Sequence, residues 1–83
     1  MARWEYAQLS VSWGSGEVRG YSHGLVTFSH SDDRIEFVYA DIMKVLRRLG
    51  DDEWELVGVD RSVVGEMEAN IVAQDAFFKR PRK

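Results

Sequence analysis

The sequence predicts an α+β domain: an antiparallel sheet of about four to five strands with one amphipathic helix packed on one face, in the order β-β-β-α-β-β. Two observations carry this prediction. Ala7, Leu9, Val11 and Trp13 alternate with Gln8, Ser10 and Ser12, which is the period of an extended strand with one face buried. From Ala40 onward the period changes, and Ile42, Val45, Leu46 and Leu49 fall at i, i+3, i+4 and i+7 along one side of a helix. The chain has 83 residues, enough for one core and too few for two, so a single domain spanning 1–83 is expected.

The first strand should begin near Arg3 and run about ten residues. Trp4 and Tyr6 have the opposite parity from Leu9 and Val11, so the strand is either apolar on both faces at its start or shifted there by a bulge. Gly14, Gly16 and Gly20 mark a loop. Leu25 to His30 and Arg34 to Val38 read as a hairpin around a Ser31-Asp32-Asp33 turn. The helix follows over Ala40 to Leu49, with Asp41 in its first turn, Arg47 and Arg48 in its last, and Gly50 as a stop. Trp54 to Val59 and about Ala73 to Lys79 are the last two strands, the latter ended by Pro81. The stretch from Ser62 to Val72 reads as a long hairpin connection, with Gly65 as its clear turn signal and Glu66 to Ala69 equally suited to a helical turn. If this architecture holds, Ile42, Val45, Leu46 and Leu49 should be buried against Leu9, Val11, Leu56 or Val57, and Val59.

The composition bounds the function. A hydrophobic fraction of 45% with three Trp, three Tyr and four Phe supplies a core that a disordered chain lacks. The absence of Cys removes disulfides and thiolate chemistry and favours a cytoplasmic location. No apolar run reaches the roughly 20 residues of a membrane helix, and the start of the chain lacks the pattern of a signal peptide, so no membrane partner is expected. The net charge of -3 disfavours non-specific nucleic-acid binding.

Three segments together resemble a known family: Trp4-Glu5-Tyr6, Leu49-Gly50 followed by Trp54-Glu55-Leu56-Val57, and Phe77-Phe78-Lys79-Arg80-Pro81. In order and spacing the chain resembles the small bacterial and phage-associated domain of unknown function forty-one seventy-seven. The resemblance implies a strand-helix-strand-strand unit and brings no catalytic residue. The sequence departs from the family pattern at Glu53, where the family commonly has Gly, and in the longer stretch from Gly14 to Val38, which suggests an added hairpin.

No residue set makes a convincing catalytic or metal centre. His23 and His30, with Asp32 and Asp33, are competent ligand types without a recognised ligand spacing. Ser29, His30 and Asp32 name a triad, but neighbours on a strand point to opposite faces. Asp51, Asp52 and Glu53 suit a solvated turn. The glycine loop lacks both the Lys-Ser/Thr ending of a P-loop and the helix that would follow it. Neither a catalytic residue nor a cofactor is assigned.

The leading expectation is a non-enzymatic binding or assembly module that forms a homo-oligomer. Trp4, Tyr6, Phe77 and Phe78 are its candidate interface residues, because one helix covers one face of a sheet and consecutive Phe77 and Phe78 must point to both. The alternative is a binder of a small anionic ligand or nucleotide, including a phage-type sequestering protein, built on the glycine loop with Arg19, Lys44, Arg47 and Arg48. A nucleic-acid binder using the basic C-terminal residues and an enzyme with a site between subunits rank below these.

Overall fold

The computed structural model describes residues 3–66 and 69–82. Among them are five strands and one α-helix: β1 (Trp4–Gly16), β2 (Ser22–Phe28), β3 (Arg34–Phe37), a 3₁₀ turn (Tyr39–Asp41), α1 (Ile42–Asp51), β4 (Glu55–Glu66) and β5 (Ala69–Pro81). The strands form one antiparallel sheet in the order β3-β2-β1-β5-β4. The α+β class, the order of elements and the single helix match the sequence prediction. β1, β4 and β5 are longer than predicted, and the molecule extends 50 × 20 × 20 Å.

The parity question in β1 resolves without a bulge. Its register is continuous against β5 from Trp4 opposite Pro81 to Gly16 opposite Ala69, so Trp4 and Tyr6 lie on the face away from the helix while the helix side at the start of the strand is held by Glu5, paired with Arg80. The irregularity lies in β4 instead, where the pairing with β5 shifts between Leu56 and Gly58. A second correction concerns the extent of the hairpin connection expected over Ser62 to Val72: Ser62 to Glu66 and Ala69 to Val72 are strand and continue the β4–β5 ladder to Glu66 opposite Ala69. Alternation there is broken, because Val63 adjoins Val64 and Ile71 adjoins Val72, so no period stands out. The helical turn considered for Glu66 to Ala69 falls partly on residues 67 and 68, outside the described residues.

Register sorts the side chains into cross-strand rows. On the helix side these include Ala7–Phe78–Leu56, Leu9–Ala76–Val59 and Trp13–Val72–Val63. Ala7, Leu9, Val11, Val26, Val45, Leu49, Trp54, Ala76 and Phe78 form one buried cluster. Apolar area removed from water is the main favourable term in folding, and this cluster contains all but Val72 of the buried apolar residues among those described.

The helix begins beside Trp13, whose ring stacks on Tyr39 at 4.3 Å, and beside Ser22, whose hydroxyl accepts a bond from the Tyr39 amide at 2.6 Å. It runs toward the Glu5 end of β1 and stops in a two-bond cap. The Glu53 amide donates to the Gly50 carbonyl at 3.0 Å and the Trp54 amide to the Leu49 carbonyl at 2.9 Å, the Schellman pattern. Gly50, expected as the stop, is therefore inside the helix, and the left-handed residue is Glu53, with φ 70°. That is the position where the resembled family carries glycine.

The glycine segment of β1 is a tight hairpin end. A Cβ at Gly14 would lie 1.7 Å from the Val18 carbonyl oxygen, so only glycine fits there. The amides of Gly14, Val18, Arg19 and Tyr21 donate to carbonyls within the same loop.

Candidate functional site

Two features stand out, a polar cluster at the helix C-terminus and an apolar groove beside the helix. The cluster starts from register: Glu5 and Arg80 are directly opposite on β1 and β5, on the helix side of the sheet. The Arg80 Nε donates to Glu5 Oε1 at 2.6 Å, and Nη1 donates to the Asp52 carbonyl at 2.7 Å. The Schellman turn places Trp54 so that the Arg80 guanidinium lies 4.3 Å from its ring centre. His30 sits just past the end of β2, with Nδ1 3.3 Å from Glu5 Oε2 and its ring 6.1 Å from the Trp54 ring.

The electrostatics of this cluster are those of a latch. The Arg80 hydrogen bond is the largest influence on the Glu5 carboxyl and holds it below its ordinary value; the charges of Arg80, His30 and Arg82 add to this, while desolvation opposes. A carboxyl held ionised is not poised to exchange protons near neutral pH, which general acid-base work requires. Arg80 in turn is occupied by Glu5, a backbone carbonyl and an aromatic face. The cluster ties β1, β5 and the last turn of α1 together, an arrangement that also satisfies an end-of-helix carbonyl.

The groove lies between α1 and β4 on the helix side, with a volume of about 290 Å³. Its floor includes Leu9, Ala76 and Phe78, its helix wall is Ile42, Leu46 and Gly50, and its far wall includes Leu56 and Val59; Gln74 is the one polar side chain lining it. The helix sits over the β1 side of the sheet and leaves β4 bare: along the row Leu9–Ala76–Val59, exposure rises from 2% to 7% to 53%. Leu56 and Val63 are likewise exposed, at 56% and 60%. Val45 and Leu49 are buried as expected, but Ile42 and Leu46 are only partly buried, and Leu56, Val57 and Val59 are not covered by the helix. Position along an edge strand decides this, and edge position is a property of topology that the local pattern does not carry.

The candidate interface residues divide. Trp4, Tyr6 and Phe77 are exposed on the face away from the helix, whereas Phe78 is 3% exposed and belongs to the core, which removes it from that face. The face itself is mixed. Lys79 Nζ lies 4.4 Å from the Trp4 ring centre, Tyr6 is in a row with Lys79 and Glu55, and Ser10 donates to Asp75 at 2.6 Å.

The candidate anion-binding residues are not gathered at one place. Arg19 is in the loop after β1, at the far end of the sheet from the cluster. Lys44 is 3.7 Å from Asp41, Arg47 is exposed, and Arg48 alone lines a hollow with Arg34, His30 and Arg80, shared with Asp33 and Asp52. The loop amides that could cradle an anion are engaged within the loop. His23 is opposite Ser12 on the face away from the helix, and His30 is in the cluster. Among the described residues no group of three or more His, Asp or Glu side chains is placed to hold a metal ion. No described helix is long and apolar enough to cross a membrane.

Reading the sequence alone misses the Glu5–His30–Arg80–Trp54 cluster. Its signal was present, since Glu5 and Arg80 fall in two of the segments that carry the family resemblance, but only strand pairing reveals that they meet. Comparison with protein-family models and with curated proteins finds no match. The resemblance noted above therefore rests on its three segments of sequence.

Proposed function

We propose that the protein is a non-enzymatic assembly module that binds a copy of itself. The observation that supports this reading is the open side of the core: residues of the buried cluster form the floor of an apolar groove whose β4 wall is more than half exposed. Exposed contiguous apolar surface in a folded chain commonly marks a partner site. The polar cluster supports no reaction, because its carboxylate and guanidinium satisfy each other. Kinship with the domain of unknown function forty-one seventy-seven is part of the proposal and adds no activity to it.

Size-exclusion chromatography coupled to light scattering, at micromolar concentration, tests the reading. The expected mass is about twice 9.6 kDa or a higher multiple. A sharp peak at 9.6 kDa across the concentration range rejects it. The anion-binding alternative has weaker support, given the scatter of Arg19, Lys44, Arg47 and Arg48, and a rise in melting temperature with inorganic phosphate would favour it instead.

A further inference from the structure

The geometry points to the groove between α1 and β4 as the surface on which a second copy of this chain docks, the α1 ridge of each protomer entering the groove of the other. This inference rests on the self-assembly reading and names its surface. Three observations carry it.

The first is area. A compact monomer of 9.6 kDa exposes about 5,100 Å² by the usual scaling with mass. This chain exposes 6241 Å². The excess is of the order that a stable interface removes from each partner, about 800 Å². Leu56, Val59 and Val63 on β4 and Met43 on α1 are among the large apolar residues that this surface exposes.

The second is self-complementarity. Ile42, Leu46 and Gly50 are spaced four apart and form one row along the helix flank that faces the groove. Met43, beside that row, is 71% exposed. A convex apolar ridge therefore lies next to a concave apolar groove on one surface. A twofold axis between two copies places each ridge over the other's β4, which is the isologous arrangement a homodimer requires. The opposite face also has a hollow, lined by Tyr6, Val57, Phe77 and Lys79, but no helix ridge stands beside it, and Lys79, Glu55 and Asp75 lie among its aromatics; on the groove face the β4 charge is Arg61, opposite Gln74.

The third is Gly50. Glycine inside a helix costs about 1 kcal/mol relative to alanine, and the left-handed residue of the cap is Glu53, not Gly50. A Cβ at Gly50 would meet nothing within 4 Å. Nothing inside the protomer requires glycine there. A bare backbone on the groove wall does allow close approach by a second helix.

The test is the mass of the wild-type chain and of three variants by light scattering, each checked for native circular dichroism. Val59→Arg places a charge in the groove, and Gly50→Lys fills its helix wall while favouring the last turn of the helix. Both positions are open in the protomer, so both variants should fold. Each should raise the dimer dissociation constant on the order of 100-fold, because an unpaired charge would be buried. Phe77→Arg, on the opposite face, should leave the dimer intact. If the wild type and both groove variants keep the doubled mass, the groove is not the interface and the assembly reading survives; loss of the dimer in Phe77→Arg alone assigns the opposite face. A wild type that stays monomeric overturns the assembly reading, and this inference with it.

Discussion

Glu5 shows how a single side chain couples two strands, a helix end and pH. Its side chain is 12% exposed, its carboxylate is bonded to Arg80, and its folded-state value lies below the ordinary 4.5. The unfolded chain therefore binds the proton more readily, and stability rises with pH in that region. The contribution is fully present at neutral pH and is lost as pH falls from about 4.5 through the lower folded-state value. Urea unfolding of the wild type between pH 6 and pH 3, on the order of the range this linkage spans, should show a falling midpoint, with a shallower fall in Glu5→Gln. Identical slopes would show that the latch is not coupled to protonation. At the other residue that departs from expectation, Glu53 holds a left-handed conformation that costs an L-residue roughly 1–2 kcal/mol. Glu53→Gly should raise the thermal midpoint, with a net gain of up to about 1 kcal/mol after the greater entropy of unfolded glycine is subtracted. A lowered midpoint would mean that the Glu53 side chain contributes more than its backbone costs.

At the scale of elements, α1 is an amphipathic helix whose apolar stripe is wider than the surface the protomer gives it. Val45 and Leu49 point into the core, while Ile42 and Leu46 lie on the boundary between the core and the groove. Leu49→Ala should therefore cost about 2–5 kcal/mol, the range for emptying a closed core site. Leu46→Ala should cost less under conditions where the chain is monomeric, because its cavity opens on solvent. Denaturant midpoints measured in dilute solution check both. Equal losses would mean that the helix is rotated toward Leu46. β4 has the complementary problem: it is an edge strand of 12 residues with three apolar side chains on the helix side and no helix over them. Its bulge between Leu56 and Gly58 and its charged Asp60 and Arg61 are devices that discourage open-ended strand pairing. They are compatible with closure by a helix over the strand's face, which leaves the edge itself unpaired.

Over the whole molecule, a core built from the central strands β1, β2 and β5 leaves the edge strand β4 uncovered on one side. Small chains have little surface to bury, so an apolar edge strand left in water is a large share of the available stabilisation. The proposed association of two copies would recover that area without lengthening the chain. For this reason the doubled mass and its loss in Val59→Arg are predictions about how the chain is stabilised as well as about what it does. A protomer stable on its own, with the groove solvated, would place the function elsewhere on the sheet.

The local elements were readable from the order of residues. Period-two alternation in β1, the i, i+3, i+4, i+7 stripe of α1 and the turn residues around Ser31 each depend on contacts within a few positions, and each was legible. The likeness of Trp4-Glu5-Tyr6 and Phe77 to Pro81 to a family pattern singled out Glu5 and Arg80 without giving either a role. Tertiary structure decided what depends on partners far along the chain. Glu5 meets Arg80 because β1 and β5 are neighbours in an order that no single strand encodes. Phe77 and Phe78 were known to face opposite ways, but the side on which α1 lies decided that Phe78 is core and Phe77 is surface. Leu56 and Val59 read as buried strand residues and are exposed, because β4 falls at the edge of the sheet and the helix spans only the strands beside it.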